Sequence, residues 1–190
     1  MAQQTLNNDA LMNSLFEVFR CRGYEGTSIS QLSEETGLQK SSLYHHFPAG
    51  KDDMLKTVVI YISNYLHKHV FDPLLNTNVT PAKRFSNMIV TITAIYGEGR
   101  KNCLLNVLNL GDTKSEIKTM LNNDYNDWLI ALNKLGCEVG MSQQEAEIWS
   151  ERFLIVVEGA LVIQRLTNNQ ITFEKHMEYE KNLFLKNCSF

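Results

Sequence analysis

Residues 27–48 read TSISQLSEETGLQKSSLYHHFP, and their reading decides the fold. Ser28 followed three positions later by Gln31 is a capping box, so a helix starts after Ser28. Gly37 ends that short helix, and a second short one runs from about Gln39 to Phe47 before Pro48 closes it. Ile29 and Leu32 face inward from the first, and Leu38, Leu43 and Phe47 from the second. Ser33 is small enough for the two helices to cross closely. This is the spacing of a helix-turn-helix. With Leu43 and Phe47 buried one turn apart, Lys40, Ser41, Tyr44 and His45 are left on the outer faces. A short helix with such an outer face fits the major groove of duplex DNA.

Outward from this stretch, nearly everything reads as helix. Leu11, Leu15, Val18 and Phe19 recur at helical spacing before Gly23. A fourth helix starts near Lys51, with Met54, Val58, Tyr61, Ile62 and Tyr65 on one face. Further segments follow: Arg84 to Tyr96, the short run CLLNVLNLG, Lys114 to Leu135, Ser142 to Leu166, and Thr172 to Leu185. Each of the three prolines fits a helix boundary, and no strand-like alternation or hairpin signal occurs. The expectation is an all-α chain of about nine helices. Residues 1–52 would form a three-helix domain built on the helix-turn-helix, and residues 53–190 a second helical domain.

Composition fits this and narrows the function. The chain has 190 residues, 44% of them hydrophobic, and a net charge of −3. It is long enough for a substantial core and is not globally basic, although a local basic patch suffices for DNA. The four cysteines are scattered, as expected for reduced thiols in the cytoplasm. MAQQTLNNDA has neither the basic segment nor the apolar run of a signal peptide. The apolar stretch from Phe153 to Ile163 is broken by Glu158 and too short to span a bilayer, so no membrane partner is expected. HExxH, GxSxG, P-loop and Rossmann glycine patterns are all missing, which argues against an enzyme and against a cofactor. His45 and His46 lie about 100° apart on a helix and cannot share a metal. His45 is read as outward and His46 as packing or hydrogen-bonding within the domain. His67 and His69 point to different sides with no carboxylate to complete a site, and a solvated surface is expected.

GYEGTSISQLSEETGLQKSSLYHHFPAGKDDML resembles the DNA-binding domain of TetR-family transcriptional regulators over about residues 9–56. FPAGK, with its extra residue, NCLLNVLNLG and VVEGALVIQR resemble a branch that includes LmrA- and YxaF-like repressors. The resemblance implies roles. Thr27 and Ser28 would meet phosphate at the start of the second helix. Lys40 and Ser41 would read base edges, with Gln39 and Ser42 beside them, and Tyr44 and His45 would contact the backbone. Lys51 matches a basic residue opening the fourth helix, where a Lys is unfavourable to the helix itself and an external phosphate would explain it.

The resemblance also implies a small-molecule pocket among the later helices. Met88, Ile92, Tyr65 and Trp128 are its candidates, with Tyr61 and Cys103 as weaker ones, and the apolar character suggests a hydrophobic or aromatic effector. It further implies a homodimer through the last two helices. Glu158 would pair there with Arg152 or Arg165, or face the pocket.

Three departures stand out. Gln39 and Ser41 occupy places that often hold Ser and Gly. The N-terminal arm has no Arg or Lys. Through residue 56, five basic residues face seven acidic ones. The expected function is a ligand-responsive repressor on duplex operator DNA. The alternatives are an activator and a small-molecule-binding protein with a degenerate DNA-binding domain.

Overall fold

In the computed structural model, residues 8–111 and 113–188 are described, and they contain helices and no strand. The helices are α1 (Asn8–Arg22), α2 (Ile29–Thr36), α3 (Lys40–His46), α4 (Lys51–Leu66), α5 (Pro81–Ile95), α6 (Leu104–Asn109), α7 (Ser115–Glu138), α8 (Gln143–Thr167) and α9 (Thr172–Asn187). The helical order expected from periodicity is therefore present.

α4 does not stop at Leu66. It widens into a π-helical turn, His67–Phe71, where the Asp72 N–H donates to the His67 carbonyl, and then runs on to Leu74. Pro73 sits inside this continuation rather than beyond it. A proline ring crowds the carbonyl four residues back, and the widened turn just before it takes up that crowding.

The chain forms two compact units. The first holds residues up to Ser63 together with Leu104–Leu121. Its core joins Leu11, Leu15 and Phe19 of α1, Leu32, Leu43, and Met54 and Val58 of α4 to Leu104, Leu108, Ile117 and Leu121. Each such buried side chain stabilises the unit by roughly 1.5–3 kcal/mol, so α6 and the start of α7 are integral to it. Val107 packs on Gly23, where a Cβ would lie 3.3 Å from its methyl.

The second unit comprises Asn64–Cys103 and the chain from Asn122 onward. Phe85, Trp149, Phe153 and Phe184 form an aromatic cluster in which the Phe85 and Phe184 centroids are 4.4 Å apart. Buried Arg84 donates to the Leu74 carbonyl at 2.6 Å and to Glu138 at 2.5 Å, tying α5 to the end of the α4 run and to α7. α8 and α9 pack on each other. Arg152 grips Glu180 through two 2.7 Å bonds. The Gln164 amide accepts from Phe173 N and donates to the Glu98 carbonyl. Arg165 bonds Asn102. No helix among the described residues is long and apolar enough to cross a membrane.

Candidate nucleic-acid interface

The helix-turn-helix forms because both ends of α2 and the turn after it are chemically closed. The Ser28 hydroxyl accepts from Gln31 N, and the Gln31 side chain accepts from Ser28 N at 2.8 Å, completing the capping box. Gly37 ends α2 with φ 69°, a left-handed value that favours glycine. Ser33 and Thr36 then fix the turn. The Ser33 hydroxyl donates to the Leu38 carbonyl at 2.5 Å, and the Thr36 hydroxyl donates to Leu32 O and accepts from Leu38 N.

Leu43 and Phe47 are buried beneath α3, while Gln39, Lys40, Ser41, Tyr44 and His45 are exposed and Ser42 is half-buried. Gln39 stands at the N-cap of α3 and makes no capping bond. Its amide is not used to close the helix. Tyr44 projects at 49% exposure, and its ring edge lies 3.3 Å from where a Cβ of Gly50 would stand. Gly50, at φ 71°, gives the tyrosine room at a backbone angle that side chains disfavour. His46 corrects the expectation that it packs within the domain. It is exposed, with its ring 5.8 Å from that of His45 and 6.3 Å from that of Phe47.

Beside α3 is an open cleft of about 470 Å³, walled by Thr27, Ser28, Ile29, Tyr44, Pro48, Ala49, Gly50 and Lys51. The N-termini of α2 and α4 both begin at its wall, where unpaired backbone N–H groups favour an anion. The side chains there are largely occupied. Thr27 is buried and its hydroxyl donates to Gly23 O at 2.6 Å. The Lys51 ammonium donates to the carbonyls of Tyr24 at 2.9 Å and Thr27 at 3.1 Å, and lies 4.0 Å above the Tyr24 ring. The structure thus gives Lys51 an internal reason to open α4, in place of the argument from helix electrostatics alone. An ammonium has three donors, so one remains for an outside acceptor.

Tyr24, Asp52 and Lys114 form a connected group that the sequence alone does not show. The Tyr24 hydroxyl donates to Asp52, and this bond, with burial and the carboxylate charge adding to it, pushes the phenol up to about 12. Asp52 also accepts from Lys114 at 2.5 Å, and the Lys114 bond, then the Tyr24 bond, hold its carboxyl below the usual range. These partners are too far apart along the chain for any local pattern to pair them.

The residues expected to line an effector pocket do not form one group. Met88 and Ile92 are buried on the inner face of α5, and Trp128 donates its indole N–H to the Met88 sulfur at 3.4 Å. Trp128 also lies 5.9 Å from Phe71 and 6.3 Å from Phe153 between ring centroids. Cys103 is buried elsewhere in the same unit, 3.6 Å from the Tyr96 hydroxyl. Tyr65 is exposed with its ring tilted by 36° against that of His69 at a centroid distance of 4.4 Å, and Tyr61 packs against the core of the first unit. His67 departs from its expectation. Its Nε2 is 3.4 Å from Asp127 and 3.9 Å from Asp124, and its Nδ1 is 3.9 Å from Asp72. Among the described residues no group of three or more His, Cys, Asp or Glu is arranged to hold a metal ion. The arm expected to lack cations falls largely on residues 1–7, outside the described residues.

A capped pair of short helices with an exposed polar second helix defines a helix-turn-helix DNA-binding unit. Residues 11–58 match the family model for bacterial regulatory proteins of the tetR family. The HTH-type transcriptional regulator LmrA of Bacillus subtilis (strain 168) is 22% identical over 169 residues, covering 86% of this chain and 88% of that protein. The uncharacterized HTH-type regulator YxaF of the same organism is 21% identical over 173 residues, covering 87% and 88%. The crystal structure of a TetR transcriptional regulator from Legionella pneumophila superposes with a TM-score of 0.81 at 15% identity, over 95% of this chain and 99% of that one. The likeness to the tetR family is therefore one of the DNA-binding region, residues 11–58, together with the fold of the chain.

Proposed function

We propose that this regulator is a repressor that binds operator DNA as a homodimer and leaves it when a hydrophobic or aromatic small molecule binds. Residues 1–52 read the DNA, and residues 53–190 bind the effector and dimerise. The observation that carries the reading is the α3 surface: Gln39, Lys40, Ser41, Tyr44 and His45 exposed over a buried Leu43, next to a cleft at two helix N-termini. Lys40 and Ser41, flanked by Gln39 and Ser42, read base edges. Tyr44, His45 and the third donor of Lys51 meet phosphates. Thr27 and Ser28 serve mainly by presenting the α2 N-terminus, because their hydroxyls are already bonded within the chain.

Dimerisation through α8 and α9 is supported by the apolar residues these helices leave in water. Ile148, Ile155 and Val162 recur at seven-residue intervals, with Ile163, Leu166 and Tyr179 nearby, and Ile155 is 68% exposed. Two copies place two α3 helices in successive major grooves of a partly palindromic site. For the effector, the contact of Trp128 with Met88, together with Ile92 and Phe71, supplies an apolar wall within one unit. The protein acts in the cytoplasm, catalyses no reaction and needs no cofactor.

Fluorescence anisotropy against the DNA upstream of the protein's own gene, at two salt concentrations and beside a Tyr44→Ala control, tests the reading. Saturable, sequence-selective binding that the control loses is the expected result. If neither that DNA nor any duplex selected from a random pool binds selectively, the domain has ceased to read DNA and the small-molecule-binding alternative takes its place.

A further inference from the structure

The start of α7 is built into the DNA-reading unit, and the residue before it, Lys114, reaches Asp52, the neighbour in sequence of the cleft residue Lys51. Leu104, Leu108, Ile117 and Leu121 share one core with α1 and α4. The turn between α6 and α7 is closed by the buried Thr113 hydroxyl, which donates to the Leu108 carbonyl at 2.7 Å. That places Lys114 2.5 Å from Asp52, in the first turn of α4. From there a chain of contacts reaches the cleft. Asp52 accepts from the Tyr24 hydroxyl, the Tyr24 ring carries the Lys51 ammonium, and Lys51 holds the carbonyls of Tyr24 and Thr27. Thr27 and Lys51 are cleft walls. A second pair, Lys56 with Glu116 at 2.5 Å, ties the same two helices with the charges reversed.

We propose that Lys114 is a positioning residue for DNA binding. It fixes Asp52, and through Tyr24 and Lys51 it sets the shape of the phosphate-facing cleft, without itself touching phosphate. The proposal rests on the reading of the chain as a DNA-binding regulator. It also gives the residues between Cys103 and Asn122 a direct hold on the reading head, because shifting the start of α7 pulls on Asp52.

The ion pair is exposed on the lysine side, so its effect is modest, roughly twofold to fivefold per reading head. The test measures the affinity of the full-length protein for a duplex selected from a random pool, across a series of KCl concentrations. The variants are Lys114→Gln, Lys114→Arg and, as a control, Lys118→Gln one turn further along α7. Lys114→Gln is expected to weaken binding about fourfold to twenty-fivefold for the dimer with an unchanged salt slope and thermal midpoint. Lys114→Arg should restore the affinity and Lys118→Gln should leave it unaltered. An unaltered affinity in Lys114→Gln overturns the proposal. So does a slope that falls by about 0.9 per head, because Lys114 would then be neutralising a phosphate itself. Failure of the unsubstituted protein to select any duplex removes the regulator reading and the inference together. Selective binding with an indifferent Lys114→Gln removes the inference alone.

Discussion

Tyr24 holds its proton unusually tightly because Asp52 accepts it, which links two groups of opposite pH behaviour. A phenol raised to about 12 contributes stability that is complete below its ordinary value of 10 and is lost as pH rises through 12. A depressed carboxyl contributes above its ordinary range and loses that contribution as pH falls through its lowered folded value. In Asp52→Asn, the slowest-titrating tyrosine should move down toward 10, read as phenolate absorbance against pH. If the titration is unchanged, the Tyr24–Asp52 bond does not exist in solution. At Lys40 the expected result concerns selectivity. Lys40→Ala should lose roughly 1–3 kcal/mol of discrimination at one or two base positions, and a uniform loss across all sequences would make Lys40 a phosphate contact. The exposed face of α3 was legible in KSSLYHHF because Leu43 and Phe47 fix the helix phase. Lys51 was half legible: its place was clear, but its two carbonyl partners come from a loop that no local pattern places beside it.

Among the elements, two helices begin with the same closure and serve different ends. Ser28 with Gln31 opens α2, and Ser142 with Glu145 opens α8, where the backbone bond from Ser142 lowers the Glu145 carboxyl. Replacing either serine by alanine should cost about 1 kcal/mol of stability. Only Ser28→Ala should also weaken DNA binding, since only α2 starts at the cleft. Equal DNA affinities for the two variants would remove the α2 N-terminus from the interface. Helix order was legible throughout because the apolar periods are long and unambiguous. The end of α4 was not. Pro73 reads as a stop in a sequence, and only the widened turn at His67–Phe71 explains how the helix passes through it. The carboxylates around His67 were equally hidden, since Asp124 and Asp127 reach it from α7.

For the whole molecule, charge and assembly decide the strength of binding. Lys56 is paired with Glu116, and Arg20 is buried against Glu17 and Phe16, which leaves Lys40, Arg22 and the third donor of Lys51 as the cations of residues 8–56 open to DNA. The salt dependence of operator binding should therefore be shallow, a slope near −5 or weaker for a dimer at about 0.9 per phosphate neutralised. A slope near −8 would require cations from outside this set. Ile155→Asp should dissociate the dimer in analytical ultracentrifugation and weaken operator binding at least tenfold, since a charge facing its own copy across a two-fold axis is repelled. A dimer that persists would move the interface away from the exposed stripe of α8. The exposed isoleucines were visible as apolar residues in the sequence, but the partition into two units was not. The chain leaves the first unit after Ser63 and returns to it for Leu104–Leu121, an excursion that periodicity does not record.

The π-helical turn at His67–Phe71 also bears on how this chain is lined up with others. Such a turn holds one residue more than an α-helical turn over nearly the same rise, so the helix on either side keeps its facing. A relative whose fourth helix is regular throughout needs one residue fewer at this point. An alignment drawn straight through it would rotate every later comparison on the helix by about 100° and match buried positions with exposed ones. A one-residue gap opened within 67–71 restores the correspondence on both flanks.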